Sequence, residues 1–297
     1  MDFGPYLLLA SLEGAVMAAV LALTALGLSL VFGVMRVVNV AHGEFFMLGA
    51  VSAWWASSMA TNIASASPAL AFLAALVLAP LITGAVAFAT DRFVLRRLDY
   101  QPEATIVATI GLLYIIQQSV LMSFGPDARP VAAPFNWRVD LYWFGYSGYK
   151  LCVIVIALSV LLLAWLALTR TRAGLIMRAT QLDPDMAQAF GIPVDKVYAG
   201  VFTLGAMLAA LSAVLIVPTQ QAHYLMGLDP LLMSFIVVIV GGLGSLRGTL
   251  VAALLIGMSD GIISVFFSPT LAKILATLLV ALVLVFRPQG LFGVKPR

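Results

Sequence analysis

The chain has 297 residues, of which 63% are hydrophobic and only 10% charged, with a net charge of +3 and a mean hydropathy of +1.09. A soluble domain carries roughly a quarter charged residues, so this chain cannot cover a water-facing surface and reads as an all-α polytopic membrane protein. The small net charge and the absence of a basic stripe interleaved with aromatics exclude a nucleic-acid binder, and a single cysteine, Cys152, excludes a disulfide frame or a cysteine metal site.

Crossing the bilayer core takes roughly 20 apolar residues as helix, and exposed backbone is not tolerated there. Apolar runs of that grade lie at 7–34, 45–64, 69–90, 104–124, 150–169, 197–217, 231–245, 249–267 and 271–286. They give roughly 8–9 membrane segments, broken or re-entrant helices included. The first run is too long for the apolar core of a signal peptide and has no basic segment before it. It is therefore expected to be a membrane span, with no cleavable leader. Glu13 lies near its start, a position that suits an interface.

Between the first two runs stands "GVMRVVNVAHGEFFMLGA", residues 33–50. Gly33 and Gly43 bracket Arg36, Asn39, His42 and Glu44, and the apolar pattern resumes at Phe45. Asn39 suits the N-cap of the helix that follows, and Glu44 suits its positive end. The same residues also suit the first half of an interrupted helix pair of the kind that lines transport paths. Farther on, Gln117 and Gln118 fall inside the fourth run, either lining a polar path or bonding between helices.

Two connections are long. Residues 125–149 contain "PFNWRVDLYWFGYSGYK", whose aromatics suit an interfacial belt or the docking of an external partner. Residues 170–196, "RTRAGLIMRATQLDPDMAQAFGIPVDK", mix basic residues with a short apolar-periodic piece at Met186, Ala187, Phe190 and Ile192. Asp183 before Pro184 is a helix start and Gly191 a helix stop. A short amphipathic helix between spans suits a membrane surface or a groove on a partner.

The segment 231–245 is about five residues short of a crossing, and it runs into "GGLGSLRG" at 241–248. This glycine run is no nucleotide motif. The P-loop needs Lys and then Ser or Thr after its last glycine, and the dinucleotide pattern needs a glycine where Arg247 stands. A helix break at Gly241, Gly242 and Gly244, with Arg247 beside it, accounts for it better than close helix packing alone. Asp260 is the remaining carboxylate inside a span, and such groups deserve a functional hypothesis. Neither a His-Glu-x-x-His nor a Gly-x-Ser-x-Gly pattern occurs, so no catalytic site is expected, and no metal or cofactor.

Loop charge orients the chain. With 91–103, 170–196, Arg36, Arg247 and the C-terminal tail in the cytoplasm, only Arg129, Arg138, Lys150 and Lys273 of the 16 Lys and Arg fall outside. That split obeys the positive-inside rule. The C-terminus is then cytoplasmic, and Lys295 and Arg297 contribute to the excess.

"NVAHGEFFMLGA" (39–50), "VGGLGSLRGTLVAALLIG" (240–257) and "LVFRPQGLFG" (284–293) stand in an order and spacing that resembles the membrane permeases of the branched-chain amino-acid (LIV-type) ABC importers. The resemblance runs from about residue 5 to 293. It implies one permease domain over 1–297 in a bacterial inner membrane, serving as the pore subunit of a binding-protein-dependent importer for leucine, isoleucine and valine. The implied partners are a second related permease, two cytoplasmic ATPases and a periplasmic substrate-binding protein, alongside membrane lipid and no nucleic acid. The loop at 125–149 would be periplasmic. The loop at 170–196 would dock into an ATPase, with Arg178, Asp183, Met186, Ala187, Phe190 and Gly191 as candidate residues. Ala187 and Gly191 fill the Ala and Gly places of the wider superfamily's Glu-Ala-Ala…Gly pattern, but the chain has no Glu-Ala-Ala triplet. Asn39, His42, Gly43, Glu44, Gly241, Gly242, Gly244 and Arg247 are then candidates for the translocation path.

Two other readings remain open from sequence. Sister importers for urea and short amides share the "AHGE" stretch. An ion-coupled secondary transporter would need a coupling site near the midplane, for which Asp260 and Glu44 are the available carboxylates. A respiratory-complex subunit is disfavoured, because every lysine lies in a loop or at a span end.

Overall fold

The structure is a computed structural model that describes residues 3–287 and 289–292. Lys295 and Arg297, expected to add to the basic tail, lie outside the described residues. The described residues form eleven α-helices: α1 (Phe3–Met35), α2 (His42–Ala64), α3 (Pro68–Phe93), α4 (Pro102–Phe124), α5 (Gly148–Arg170), α6 (Arg172–Leu182), α7 (Pro184–Ala189), α8 (Val194–Gln220), α9 (Leu228–Gly241), α10 (Leu246–Phe266) and α11 (Pro269–Phe286). A 3-10 turn at Leu95–Leu98 follows α3, and a hairpin of β1 (Arg138–Leu141) and β2 (Phe144–Ser147) precedes α5. Among the described residues seven helices are long and apolar enough to cross a membrane, while α9 has 14 residues and is shorter.

Several starts follow directly from sequence. Ser67 accepts from Leu70 N with Pro68 next in line, and Ser268 accepts from Leu271 N ahead of Pro269. A side-chain acceptor satisfies one orphan N–H of the first turn, and proline needs no N–H there.

The core is organised around α1, whose most apolar stretch is 78% buried inside the chain. A helix of Leu and Ala gains nothing by leaving lipid for an equally apolar neighbour, so close backbone approach and polar pairs hold such a core together. Gly27 of α1 meets Gly205 of α8 so closely that a Cβ on Gly27 would lie 2.4 Å from the Gly205 carbonyl oxygen. Gly257 and Gly261 of α10 press equally tightly on Ala18 and Gly14 of α1, and Gly49 of α2 presses on Ala210 of α8. Polar pairs cross the same contacts. Thr24 Oγ1 donates to Ser212 Oγ at 2.8 Å, Ser212 donates to the Val20 carbonyl, and Thr249 donates to Ser29 Oγ at 2.9 Å. In α5 and α11, by contrast, only 17% and 6% of the apolar stretch is buried. Their leucines face outward, toward lipid or another subunit.

Helix α5 leads from the hairpin to α6, so the hairpin and α6–α7 occupy opposite ends of the molecule. At the hairpin end Lys150 pairs with Glu13 at 2.6 Å, and Arg129 forms an antiparallel bridge with Ala222 just beyond α8. The Arg129 guanidinium also lies 5.2 Å from the centre of the Trp54 ring. At the α6–α7 end Arg96 pairs with Asp195 at the start of α8.

Candidate functional site

Of the polar residues between α1 and the first turn of α2, Arg36 is exposed, while Asn39, His42 and Glu44 are buried. After Met35 the chain leaves the helix at Arg36, whose φ of 56° is left-handed, and runs back into the protein as irregular backbone. Irregular backbone at membrane depth must find internal partners. Val40 N donates to Thr109 Oγ1 of α4, and Ala41 N donates to Asn39 Oδ1. Helix α2 then starts in the interior, level with Thr24, roughly 14 Å of helix rise from Gly33.

This arrangement corrects the sequence expectation for Asn39. The N-cap of α2 is Ala41, without a side-chain cap, and the helix begins at His42 rather than Phe45. Asn39 instead turns its amide oxygen onto the N–H two residues ahead, a local turn that competes with capping. Glu44 does sit in the first turn, as expected.

Asn39, His42 and Glu44 are each at most 1% exposed. His42 Nε2 lies 3.0 Å from the Thr24 carbonyl. A carbonyl only accepts, so Nε2 carries the proton and Nδ1 is left as an acceptor. Within the described chain, neither His42 Nδ1 nor Glu44 Oε2 has a hydrogen-bond partner. Gly43 is forced by its neighbour: a Cβ there would lie 2.3 Å from the carbonyl oxygen of Gly227, the residue that precedes α9. Two helices that run in opposite directions, α2 and α9, therefore start against each other inside the protein.

The second glycine group lies at the α6–α7 end. Helix α9 stops at Gly241, and Gly242 (φ 103°) and Gly244 (φ 76°) take conformations that side chains resist. Ser245 then caps α10 by accepting from Gly248 N. The run serves packing as well, since a Cβ on Gly248 would lie 1.9 Å from the Gly241 carbonyl oxygen. The tail returns to close this end of α9, with Leu291 N donating to Val240 O and Phe292 N to Gly241 O. Two of the sequence motifs, 240–257 and 284–293, thus meet in space. Arg247 does not join the polar interior; it is exposed, with its guanidinium 5.7 Å from the centre of the Trp165 ring.

The loop at 170–196 folds as α6 and α7 joined at Asp183. That residue closes α6 through its N–H and opens α7 by accepting from Met186 N at 3.0 Å. Gly191 ends the unit at φ 82°. Arg178 reaches back to the Leu168 carbonyl, and Ala187 is buried. Met186 and Phe190 are 54% and 81% exposed, so α7 and its C-cap present apolar side chains that the described residues leave uncovered.

Residues 10–285 match the protein family described as "Branched-chain amino acid transport system / permease component". The chain belongs to this permease family. Over 292 residues it is 28% identical to the high-affinity branched-chain amino acid transport system permease protein BraD of Pseudomonas aeruginosa, covering 95% of this chain and 94% of that one. It is also 28% identical to the corresponding permease protein LivH of Escherichia coli K12, over 97% and 96% of the two chains. A probable LivH of Methanocaldococcus jannaschii is 24% identical over 95% and 92%. No solved structure matches the chain. Sequence reasoning missed Thr24, Thr109, Ser212, Gly227 and Gln181. Each is an ordinary residue in an apolar run or loop, given its role only by a contact from a distant element.

Proposed function

We propose that the chain is one pore subunit of a binding-protein-dependent ABC importer for branched-chain amino acids, paired with a related permease and driven by two separate cytoplasmic ATPases. The observation that carries the reading is the near end-to-end similarity to permeases named for that transport. The structure adds physical support. The interior junction of α2 and α9 is built from tight glycine contacts and retains unpartnered polar atoms on His42 and Glu44, which suits a path that polar solutes pass without being held. A permease served by a binding protein gains nothing from tight binding midway, because that would slow release. The apolar side chains of α7 suit the groove of a cytoplasmic ATPase.

Uptake of labelled leucine is the test, in cells with and without the gene and with unlabelled valine or urea as competitor. Loss of valine-competed leucine uptake on deletion is the expected result. Unchanged leucine uptake would remove branched-chain amino acids as the cargo.

A further inference from the structure

On the surface between the two helix breaks, at the α6–α7 end, lies a pocket of about 330 Å³ lined by Phe32, Gly33, Arg36, Gln181, Leu243 and Gly244. Three separate stretches of sequence meet there through one residue. Gln181 is in the last turn of α6, two positions before the Asp183 that joins α6 to α7. Its side-chain Nε2 donates to the Gly244 carbonyl at 3.3 Å, in the α9–α10 break. Its backbone carbonyl accepts from Arg36 Nη2 at 3.2 Å, and the adjacent Leu182 carbonyl accepts from the same nitrogen at 3.4 Å. Arg36 thereby places a cation on the negative end of α6, where it is favoured. Gly33 completes the junction. A Cβ there would lie 3.1 Å from Gly244 Cα and 3.2 Å from Gln181 Nε2, so the last turn of α1 touches the α9–α10 break beneath the glutamine.

Both breaks turn on a residue in left-handed backbone. Arg36 (φ 56°) and Gly244 (φ 76°) are left-handed, and each sits at a point where the chain turns from one helix toward another. A displacement of α7 acts on Asp183 and from there on the last turn of α6. The same turn holds the α1–α2 break through the two carbonyls that accept from Arg36, and the α9–α10 break through the Gln181 side chain. We infer that Gln181 is the positioning residue that ties motion of the α6–α7 unit to both helix breaks at once. This inference rests on the ATP-driven reading above and names the link by which that work reaches the pore.

The test uses the whole importer in proteoliposomes: this subunit, its partner permease, the ATPases and the binding protein. ATP hydrolysis and labelled-leucine uptake are read in the same vesicles. Gln181→Glu keeps the side chain's shape but removes the donor and sets a carboxylate against the Gly244 carbonyl. It is expected to lower leucine moved per ATP by about fivefold, the order set by one lost neutral hydrogen bond, while complex yield and the hydrolysis rate stay close to wild type. Gln181→Lys keeps an N–H donor and is expected to retain coupling. Wild-type coupling in the glutamate variant overturns the inference. So does a parallel loss of assembly, hydrolysis and uptake in both variants, which would mark Gln181 as merely structural. If the wild-type complex itself moves leucine without ATP dependence, the ATP-driven reading fails, and the inference with it.

Discussion

Close backbone contact makes single glycines decide whether this core forms. Gly43→Ala would drive a methyl into the Gly227 carbonyl and the Leu231 side chain, both on fixed elements. Overpacking of this kind costs about 1–3 kcal/mol, and the variant is expected to show a lower melting temperature in detergent and poor yield. Gly111, on the exposed side of α4, has nothing within 4 Å. There alanine removes the helix penalty of glycine, about 1 kcal/mol, so Gly111→Ala should leave the melting temperature of the isolated subunit unchanged or raised. Glu44 poses a different question, since its carboxylate is buried and one oxygen makes no bond within the described chain. Glu44→Ala is expected to cut uptake about tenfold, near the upper end for a hydrogen-bonding group, with co-purification of the complex retained. Full transport by that variant would remove Glu44 from the path. The residues themselves were legible in sequence because charge and amide groups are rare in apolar runs. The role of Asn39 was not, since one side chain serves a helix cap or a two-residue turn equally well.

At the scale of elements, boundaries marked by chemistry were the readable ones. Asp183–Pro184 and Gly191 bound α7 as their capping preferences dictate, and the glycine run interrupts α9 and α10 at Gly242 and Gly244. What the sequence hid is where α2 and α9 start. Hydropathy reports that a run suits lipid but not how deep its first residue lies, and the irregular return from Arg36 to Ala41 carries no local signal of the depth to which it brings the start of α2. The exposed face of α7 gives a prediction of its own. Phe190→Ala with Met186→Ala removes only side chains already outside the core, so the subunit should express and melt normally. ATPase recovered with it on affinity purification should fall at least about tenfold, as when anchor residues of an interface are truncated. The break at Gly242 makes the complementary case. Leucine there meets a φ of 103° as well as the close approach of Gly290. Gly242→Leu should impair uptake while ATPase is still recovered, because α7 is not touched.

At the scale of the whole molecule, composition was enough for the membrane class and three short motifs for the family, because lipid imposes its demand on every residue of a span. The pairing of motif with motif, such as the tail at Leu291 and Phe292 closing α9, depended on packing between positions far apart in sequence and had no local signal. Orientation is the remaining global property, and it follows from charge. The α6–α7 end carries Arg36, Arg96, Arg178 and Arg247, while Arg129, Arg138, Lys150 and Lys273 lie toward the hairpin end, where Glu13 and Asp229 neutralise the two lysines. A bilayer that retains basic loops on the cytoplasmic side should therefore hold the hairpin outside. Tyr142, 96% exposed at the hairpin tip, and Phe190, 81% exposed at the C-cap of α7, are suited to cysteine labelling. In a Cys152→Ser background, an impermeant maleimide should reach Tyr142→Cys in intact spheroplasts and Phe190→Cys only after lysis. The reverse pattern would turn the molecule over. It would place α7 where no ATPase is available, so the same labelling experiment decides whether the docking face and the Gln181 link stand on the side where ATP is hydrolysed.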